Sequence, residues 1–491
     1  MTTGAVLALD QGTTSSRALA VTAGGEVAAM AQEAFAQIFP QSGWVEHDPE
    51  EIWRTQMATA RAVIERLGAG AFSAIGLANQ RETVIVWERS TGAPIHNAIV
   101  WQDRRTAPAT DALARAGWGP MVAERTGLVL DPYFSASKIA FILDAVPGAR
   151  ERAARGELAA GTVDCFLIWR LTGGRVHATD ATNASRTSLF DIRKGVWDQE
   201  LCDLFRVPLS LLPEVRDSAA DYGVAEALLP GVRITGVAGD QQAALVGQAC
   251  FSAGEVKSTY GTGAFLVLNT GDRLIASRSG LLSTIAYRLN GETVYALEGS
   301  ILSAGSTIQW LRDNLRIIRD GAEAGEMAAS IPDTGGVHLA PAFVGLGAPR
   351  WDPEARGAIL GLQRGTSIAE IARAALESVA FQTAELLAAM AEDGVRPRRL
   401  KVDGGMTRND FLMQFMADIL DLEVVRPAMT ETTALGAAML ASVGSGAVAR
   451  LEEAASLWSA ERAFHPVMAS NEREHRLALW SDAVRRISSR L

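Results

Sequence analysis

Cysteine is scarce: Cys165, Cys202 and Cys250 are the only three in 491 residues. They are odd in number, far apart and in no C-x-x-C spacing, so neither a disulfide framework nor a cysteine-based zinc site is supported. Cys165 (VDCFLIW) and Cys250 (GQACF) lie in apolar runs and read as core thiols. Lysine is rare, and arginine supplies most of the positive charge. The net charge is −10 and the pI about 5.3, which argues against nucleic-acid or anionic-membrane partners. No apolar stretch reaches the length of a membrane-spanning helix. The start, MTTGAVLALDQG, has no basic segment and no long apolar run, so no signal peptide is expected and a cytoplasmic location is the default. Low-complexity tracts are missing too, and no charge run is long enough to suggest a disordered tail. No GxxxxGK[ST] occurs, so this is not a P-loop enzyme, and no GxGxxG follows a strand at the head of a helix.

The chain does have ample apolar material, 48% of its residues, which over this length suits two large domains. Ala5 to Asp10 reads as a buried strand, QGTTSSR as a turn and Ala18 to Val21 as a second strand. The same pattern returns at Glu255 to Tyr260, GTG and Ala264 to Asn269. Two halves, each opening with a Gly-Thr hairpin, are therefore expected, divided near Gly247 to Ala253, as residues 1–249 and 250–491. Helical periodicity covers Pro49 to Leu67 and Ser367 to Met390; strands are expected at Ala74 to Asn79, Thr83 to Trp87 and Leu400 to Asp403. Asn409 and Asp410 read as caps for a helix from Phe411 to Asp421, and Thr432 to Ser442 as an Ala-rich helix able to pack closely. The fold class is α/β, with a mixed sheet flanked by helices in each half.

Without a P-loop, phosphate must be held another way. A Gly-Thr hairpin offers backbone N–H groups with little steric cover and adds hydroxyl donors. Gly12, Thr13, Thr14 and Ser15 form one such element, and Gly261, Thr262 and Gly263 another. Asp10 beside the first is a natural Mg²⁺ ligand, direct or through water. Ordinary hairpin turns with Asp10 as a turn acceptor would look the same. VDGGMTRN (Val402 to Asn409) could let an adenosine approach the backbone or simply turn from strand to helix. Gly305, in SAGSTIQW, could open space for a base or ribose.

Further motifs join these: LDQGTTSSR (Leu9 to Arg17), GWVEHDP (Gly43 to Pro49), NQRET (Asn79 to Thr83), IVWQDRRT (Ile99 to Thr106) and DPYFSASK (Asp131 to Lys138). TDATNASRT (Thr179 to Thr187), GDQQAAL (Gly239 to Leu245), TYGTG (Thr259 to Gly263) and AFVGLGAPRWDPEARGAILGL (Ala342 to Leu362) follow in order. In this order and at these separations the chain resembles the FGGY carbohydrate kinases over nearly its whole length. The resemblance implies two ribonuclease H-like, actin-like ATPase domains with the active site in the cleft between them. It implies ATP as co-substrate, Mg²⁺, glycerol as the acceptor (a pentulose or gluconate being the alternative), and a homodimer or homotetramer. Arg81 and Glu82 resemble the pair that binds polyol hydroxyls; read alone, they could be a surface ion pair after a strand. Tyr133 resembles a further hydroxyl contact, and Trp101 and Phe265 apolar walls. Asp240 resembles the general base, although a helix N-cap for Gln241 to Gln248 is an equally ordinary use of it. Gln241 would help position the polyol. The resemblance also assigns Asp10 to Mg²⁺, Thr13, Thr14, Ser15, Arg17 and Thr262 to phosphates, and Gly305, Gln309, Gly405 and Asn409 to the adenosine pocket. An ATPase switch related to actin or chaperones would share the hairpins without needing an Arg/Glu/Tyr cluster. DYGVAEALLPGVRITG (Asp221 to Gly236) lacks the glycine-rich loop that binds a sugar bisphosphate in some relatives, and no histidine lies between Arg216 and Thr235, so neither form of control is implied.

Overall fold

The structure is a computed structural model that describes residues 4–489. The apolar run at the start forms the strand Ala5–Gln11, which pairs antiparallel with Ser15–Val21 in the register Gln11↔Ser16 and Asp10↔Arg17. Val27–Ala34 continues the meander. Phe72–Asn79 lies parallel on the other side of Ala5–Gln11, and Ile234–Gly239 lies parallel beyond it. The second large sheet repeats this core. Val256–Tyr260 and Ala264–Gly271 form the antiparallel hairpin, with Leu400–Asp403 and then Val424–Pro427 parallel to it. On its outer edges lie Glu292–Ile301 with Leu282–Leu289, and Ala460–Phe464. The strands of one sheet come from residues 5–239 and those of the other from 256–464.

Local chemistry explains the helix limits. Pro49–Leu67 is capped by Asp48, whose side chain accepts from Glu50 N–H. The long helix runs Ile368–Glu392, two residues further than its periodicity suggests, and Ser367 with Glu370 closes a capping box at its start. Asn409 caps Asp410–Leu420 by accepting from Leu412 N–H, but Asp410 does not cap. Asp410 is the first helical residue, and its carboxylate pairs with Arg426 and Arg462 instead. The strand expected at Thr83 to Trp87 is Val84–Glu88, because Thr83 closes the preceding turn.

Thr432–Gly444, late in the chain, packs on the first sheet, not the second. Backbone contact makes this possible: a Cβ on Gly76 would lie 2.2 Å from the Ala437 carbonyl oxygen, and one on Gly236 2.3 Å from Ala441 N. The helix Asp240–Gly247 meets it just as closely, since a Cβ on Gly436 would lie 1.7 Å from the Ala243 oxygen and one on Gly247 1.9 Å from the Thr432 oxygen. The apolar cluster around them draws on Val6, Ala243, Leu245, Val267, Ala296 and Leu435, and so joins both sheets in one core.

Such a contact has no room for one more carbon. Gly436→Ala is expected to destabilise the protein by about 3 kcal/mol or more, beyond the usual range for overpacking because the neighbour is backbone. Gly70→Ala, where no atom lies within 4 Å of the new methyl, is the control and should stay within about 0.5 kcal/mol. Equilibrium denaturation of the two variants checks this; equal stability would show that the helices separate freely.

Candidate active site

Both hairpin tips are open. Thr14, Gly261 and Thr262 are exposed, while Thr13 and Ser15 are half-buried. Gly12 N–H donates to the Ser15 carbonyl at 3.0 Å and Gly261 N–H to the Gly263 carbonyl at 2.9 Å, so these two amides close their own turns and are not free for phosphate. The amides of Thr13, Thr14, Thr262 and Gly263 have no hydrogen-bond partner among the described residues and are among the donors left at the tips. Asp10 sits at the mouth of the first hairpin, with Arg17 across the ladder at 3.8 Å. Arg17 also pairs with Glu431, just ahead of the helix Thr432–Gly444. Burial pushes the Asp10 carboxyl up to about 6; Arg17 opposes this and the Asp240 charge adds to it.

Arg81 and Glu82 are not a surface pair. Both are buried, at the end of the strand Phe72–Asn79. Glu82 holds a left-handed backbone, φ 59°, a conformation that costs on the order of 1–3 kcal/mol at a non-glycine residue. Arg81 reaches across to the second sheet and donates to Glu298 through Nη1 at 2.5 Å and Nη2 at 3.1 Å. Its Nε lies 3.3 Å from Asp240 Oδ1, and Nη1 also donates to Gln242 Oε1 at 3.2 Å. Arg186 completes the group, donating to Glu82 Oε1 at 2.7 Å and Glu298 Oε1 at 2.8 Å. Despite burial, Arg186 and Arg81 hold the Glu298 carboxyl down to about 2. In Glu82, burial wins over the same two cations and pushes the carboxyl up.

Asp240 opens its helix as the first helical residue; Gly239 occupies the cap position, so the N-cap reading of Asp240 does not hold. Its carboxylate, 27% exposed, accepts from the Gln241 N–H at 2.7 Å and is pushed up by burial against the pull of Arg81 and Lys257. Gly239 has no side chain because the Arg81 stem passes there, 2.7 Å from where a Cβ would stand. The aromatic residues gather beside this group: Trp101 meets Tyr133 edge-on at 5.7 Å and Phe265 at 6.0 Å. Trp101 Nε1 donates to Thr13 Oγ1 at 3.0 Å, tying the aromatic wall to the first hairpin. Burial, and the nearby Glu82 charge, keep the Tyr133 phenol protonated.

On the far side, Thr262 stands over the helix Gly305–Asp313, its carbonyl accepting from Ala304 and Ser306 N–H at 3.0 Å. Gly305 opens no space, contrary to the sequence reading, because the place of its side chain is filled by the Gly261 carbonyl at 2.5 Å. Gly405 is open, with nothing within 4 Å of a Cβ. Asn409 faces Gly325, where a Cβ would lie 2.7 Å from its amide, and Gln309 is exposed.

Residues 5–247 match the N-terminal domain of the FGGY family of carbohydrate kinases, and residues 256–445 match its C-terminal domain. The chain belongs to the FGGY family of carbohydrate kinases. It is 56% identical over 491 residues to a glycerol kinase of Chelativorans sp. (strain BNC1), covering 99% of this chain and 98% of that one. With a glycerol kinase of Methylobacterium nodulans it shares 57% over 487 residues, 98% of this chain and 97% of the other. The crystal structure of Plasmodium falciparum glycerol kinase with ADP superposes with a TM-score of 0.94 at 36% identity, covering 100% of this chain and 99% of that one.

Sequence reasoning does not single out four charged or polar side chains that contact this group: Arg186, Gln242, Lys257 and Glu298. Arg186 sits inside TDATNASRT and Gln242 inside GDQQAAL, so their motifs were visible but their roles were not. Glu298 has one local signal, a carboxylate inside the apolar stretch VYALEG of its strand. Glu298→Gln leaves two buried guanidinium groups short of a counter-charge and should cost about 3 kcal/mol. The folded carboxyl titrates below its ordinary value of 4.5, so its stabilisation is full above that value and is lost as pH falls toward 2. Denaturation across that window should therefore show a flatter acid limb in Glu298→Gln than in the wild type; identical limbs would mean the group adds nothing.

Proposed function

We propose that this chain transfers the γ-phosphoryl group of ATP to a terminal hydroxyl of glycerol, giving sn-glycerol 3-phosphate and ADP. One observation carries the reading: Arg81, Glu82, Trp101, Tyr133, Asp240, Gln241 and Phe265 converge beside Asp10 and the first hairpin, in a chain more than half identical to glycerol kinases over its length. A small triol needs donors and acceptors on neighbouring carbons with an apolar face behind them, and this group has both. The near-complete coverage at 56% identity does not favour the pentulose or gluconate alternative. The halves, 1–249 and 250–491, would then form the walls of the cleft, with the acceptor held mainly by the first.

Asp240 would take the proton from the attacking hydroxyl. Burial raises its basicity, and Arg81 at 3.3 Å keeps the carboxylate form available. Arg81 and Glu82 would clamp the other hydroxyls, Tyr133 would donate through its protonated phenol, and Gln241 would donate beside Asp240. Thr13, Thr14, Ser15, Arg17 and Thr262 would cradle the phosphates, and Gln309, Gly405, Asn409 and the close-packed Gly305 would bound the adenosine. Among the described residues no cluster of three or more metal-ligating side chains exists. A single carboxylate suits Mg²⁺, which keeps most of its shell as water and substrate phosphate. Asp10 fits: it is half-buried, Arg17 comes no closer than 3.8 Å, and desolvation raises its carboxyl to about 6. When bound there, Mg²⁺ would neutralise charge on the β- and γ-phosphates.

ATP consumption with glycerol, xylulose, ribulose and gluconate tests the reading. Fast turnover only with glycerol is expected; equal turnover without any polyol would mean an ATPase switch. Asp240→Asn should lower kcat by about 100-fold or more, with glycerol affinity changed less than about threefold. A loss confined to KM would remove Asp240 from the base role.

A further inference from the structure

Lysine occurs four times, at Lys138, Lys194, Lys257 and Lys401, among 46 basic residues. Lys194 is exposed; the other three are buried. Lysine is almost never fully buried without a partner. In a chain that uses arginine nearly everywhere, a buried lysine marks a place where a compact point charge fits and a planar fork does not. Two of the three have a backbone task. Lys138 donates to the carbonyls of Pro132 and Tyr133, and Lys401 to those of Gln248 and Ala249.

Lys257 differs. It stands on the strand Val256–Tyr260 of the second sheet, and its ammonium donates to the side chains of Gln241 and, at 3.0 Å, Thr259. Gln241 belongs to the other half, one residue after Asp240. An ammonium has three donors and no acceptor, so the atom of Gln241 that meets it must be the carbonyl oxygen. The amide can then face only one way, with its NH₂ turned from Lys257. Burial pushes Lys257 down to about 8, while the Asp403 and Asp240 charges oppose the shift, so the ammonium persists at neutral pH.

We propose that Lys257 is a positioning residue for phosphoryl transfer, fixing the Gln241 amide so that its NH₂ is presented to the polyol beside Asp240. This rests on the reading of Gln241 as a polyol contact. It makes the second half a determinant of acceptor affinity through a residue that touches neither substrate. Lys257→Met should raise KM for glycerol about tenfold, the loss of one well-oriented hydrogen bond, with KM for ATP changed less than about twofold. Gln241→Glu retains an oxygen for Lys257 but has no NH₂, and should give a similar rise. The double variant should be no worse than either single, because both act through one donor. If Lys257→Met does not fold, Lys257→Gln, a neutral donor of shorter reach, carries the same expectations. An unchanged KM in Gln241→Glu would refute the Gln241 contact and the proposal with it. An impaired Gln241→Glu beside a normal Lys257→Met would overturn the proposal alone, as would additive losses or equal weakening of both substrates.

Discussion

Two guanidinium groups and two carboxylates share one buried site where the two sheets meet, and much else in the molecule depends on that balance. Arg81 and Glu82 come from the end of one parallel strand, Arg186 from a turn of the same half and Glu298 from the middle of a strand in the other. Each ion alone would be costly to bury, and together they pair through direct, partly bidentate hydrogen bonds that leave Arg186 Nη1 as the one nitrogen of the four side chains without a partner among the described residues. The network fixes the direction of the Arg81 side chain. Through Arg81 it also fixes the surroundings of Asp240, the only member of this group with appreciable exposure. It leaves Glu82 short of full compensation, as its raised carboxyl shows, and so able to use a further donor.

Close backbone contact does for the scaffold what the ion network does for the site. The helices Asp240–Gly247 and Thr432–Gly444 touch through Gly247 and Gly436, and the second also lies against Gly76 and Gly236 of the first sheet. A helix from late in the chain is thereby locked to the early sheet, and Glu431 at its head is brought to Arg17 and so near Asp10. Asp240, Asp10 and the second hairpin thus keep their spacing through rigid elements, while the exposed hairpin tips and Gly405 carry little packing of their own. Catalytic constellations profit from that division, since positioning is worth more to phosphoryl transfer than covalent participation.

A good part of this was legible in the chain. The hairpins around Gly12 and Gly261 and the buried Ala-rich helix fall where pattern places them, because apolar alternation and Gly-Thr turns are local properties. The cap expected at Asp410, and the cap alternative for Asp240, do not hold, since a cap is decided by which residue takes the extended backbone, and here those are Asn409 and Gly239. The surroundings of Gly305 are likewise decided by the fold. A glycine can make room for a ligand or for another stretch of backbone, and only the path of Gly261 shows which.

By itself the sequence determined the class of fold, the repeated hairpin core and the identity of most residues around Asp10, Arg81 and Asp240, because these lie in contiguous motifs whose spacing survives without coordinates. Tertiary structure alone decided that Arg81 faces Glu298 across 217 positions of chain, that Lys257 fixes the amide of Gln241, and that Thr432–Gly444 packs on the early sheet. The physical reason is the range of the interactions. Periodicity and turn chemistry act between near neighbours in sequence, whereas a buried ion pair and a backbone-to-backbone contact depend on which distant segments the packed core brings within a few ångströms.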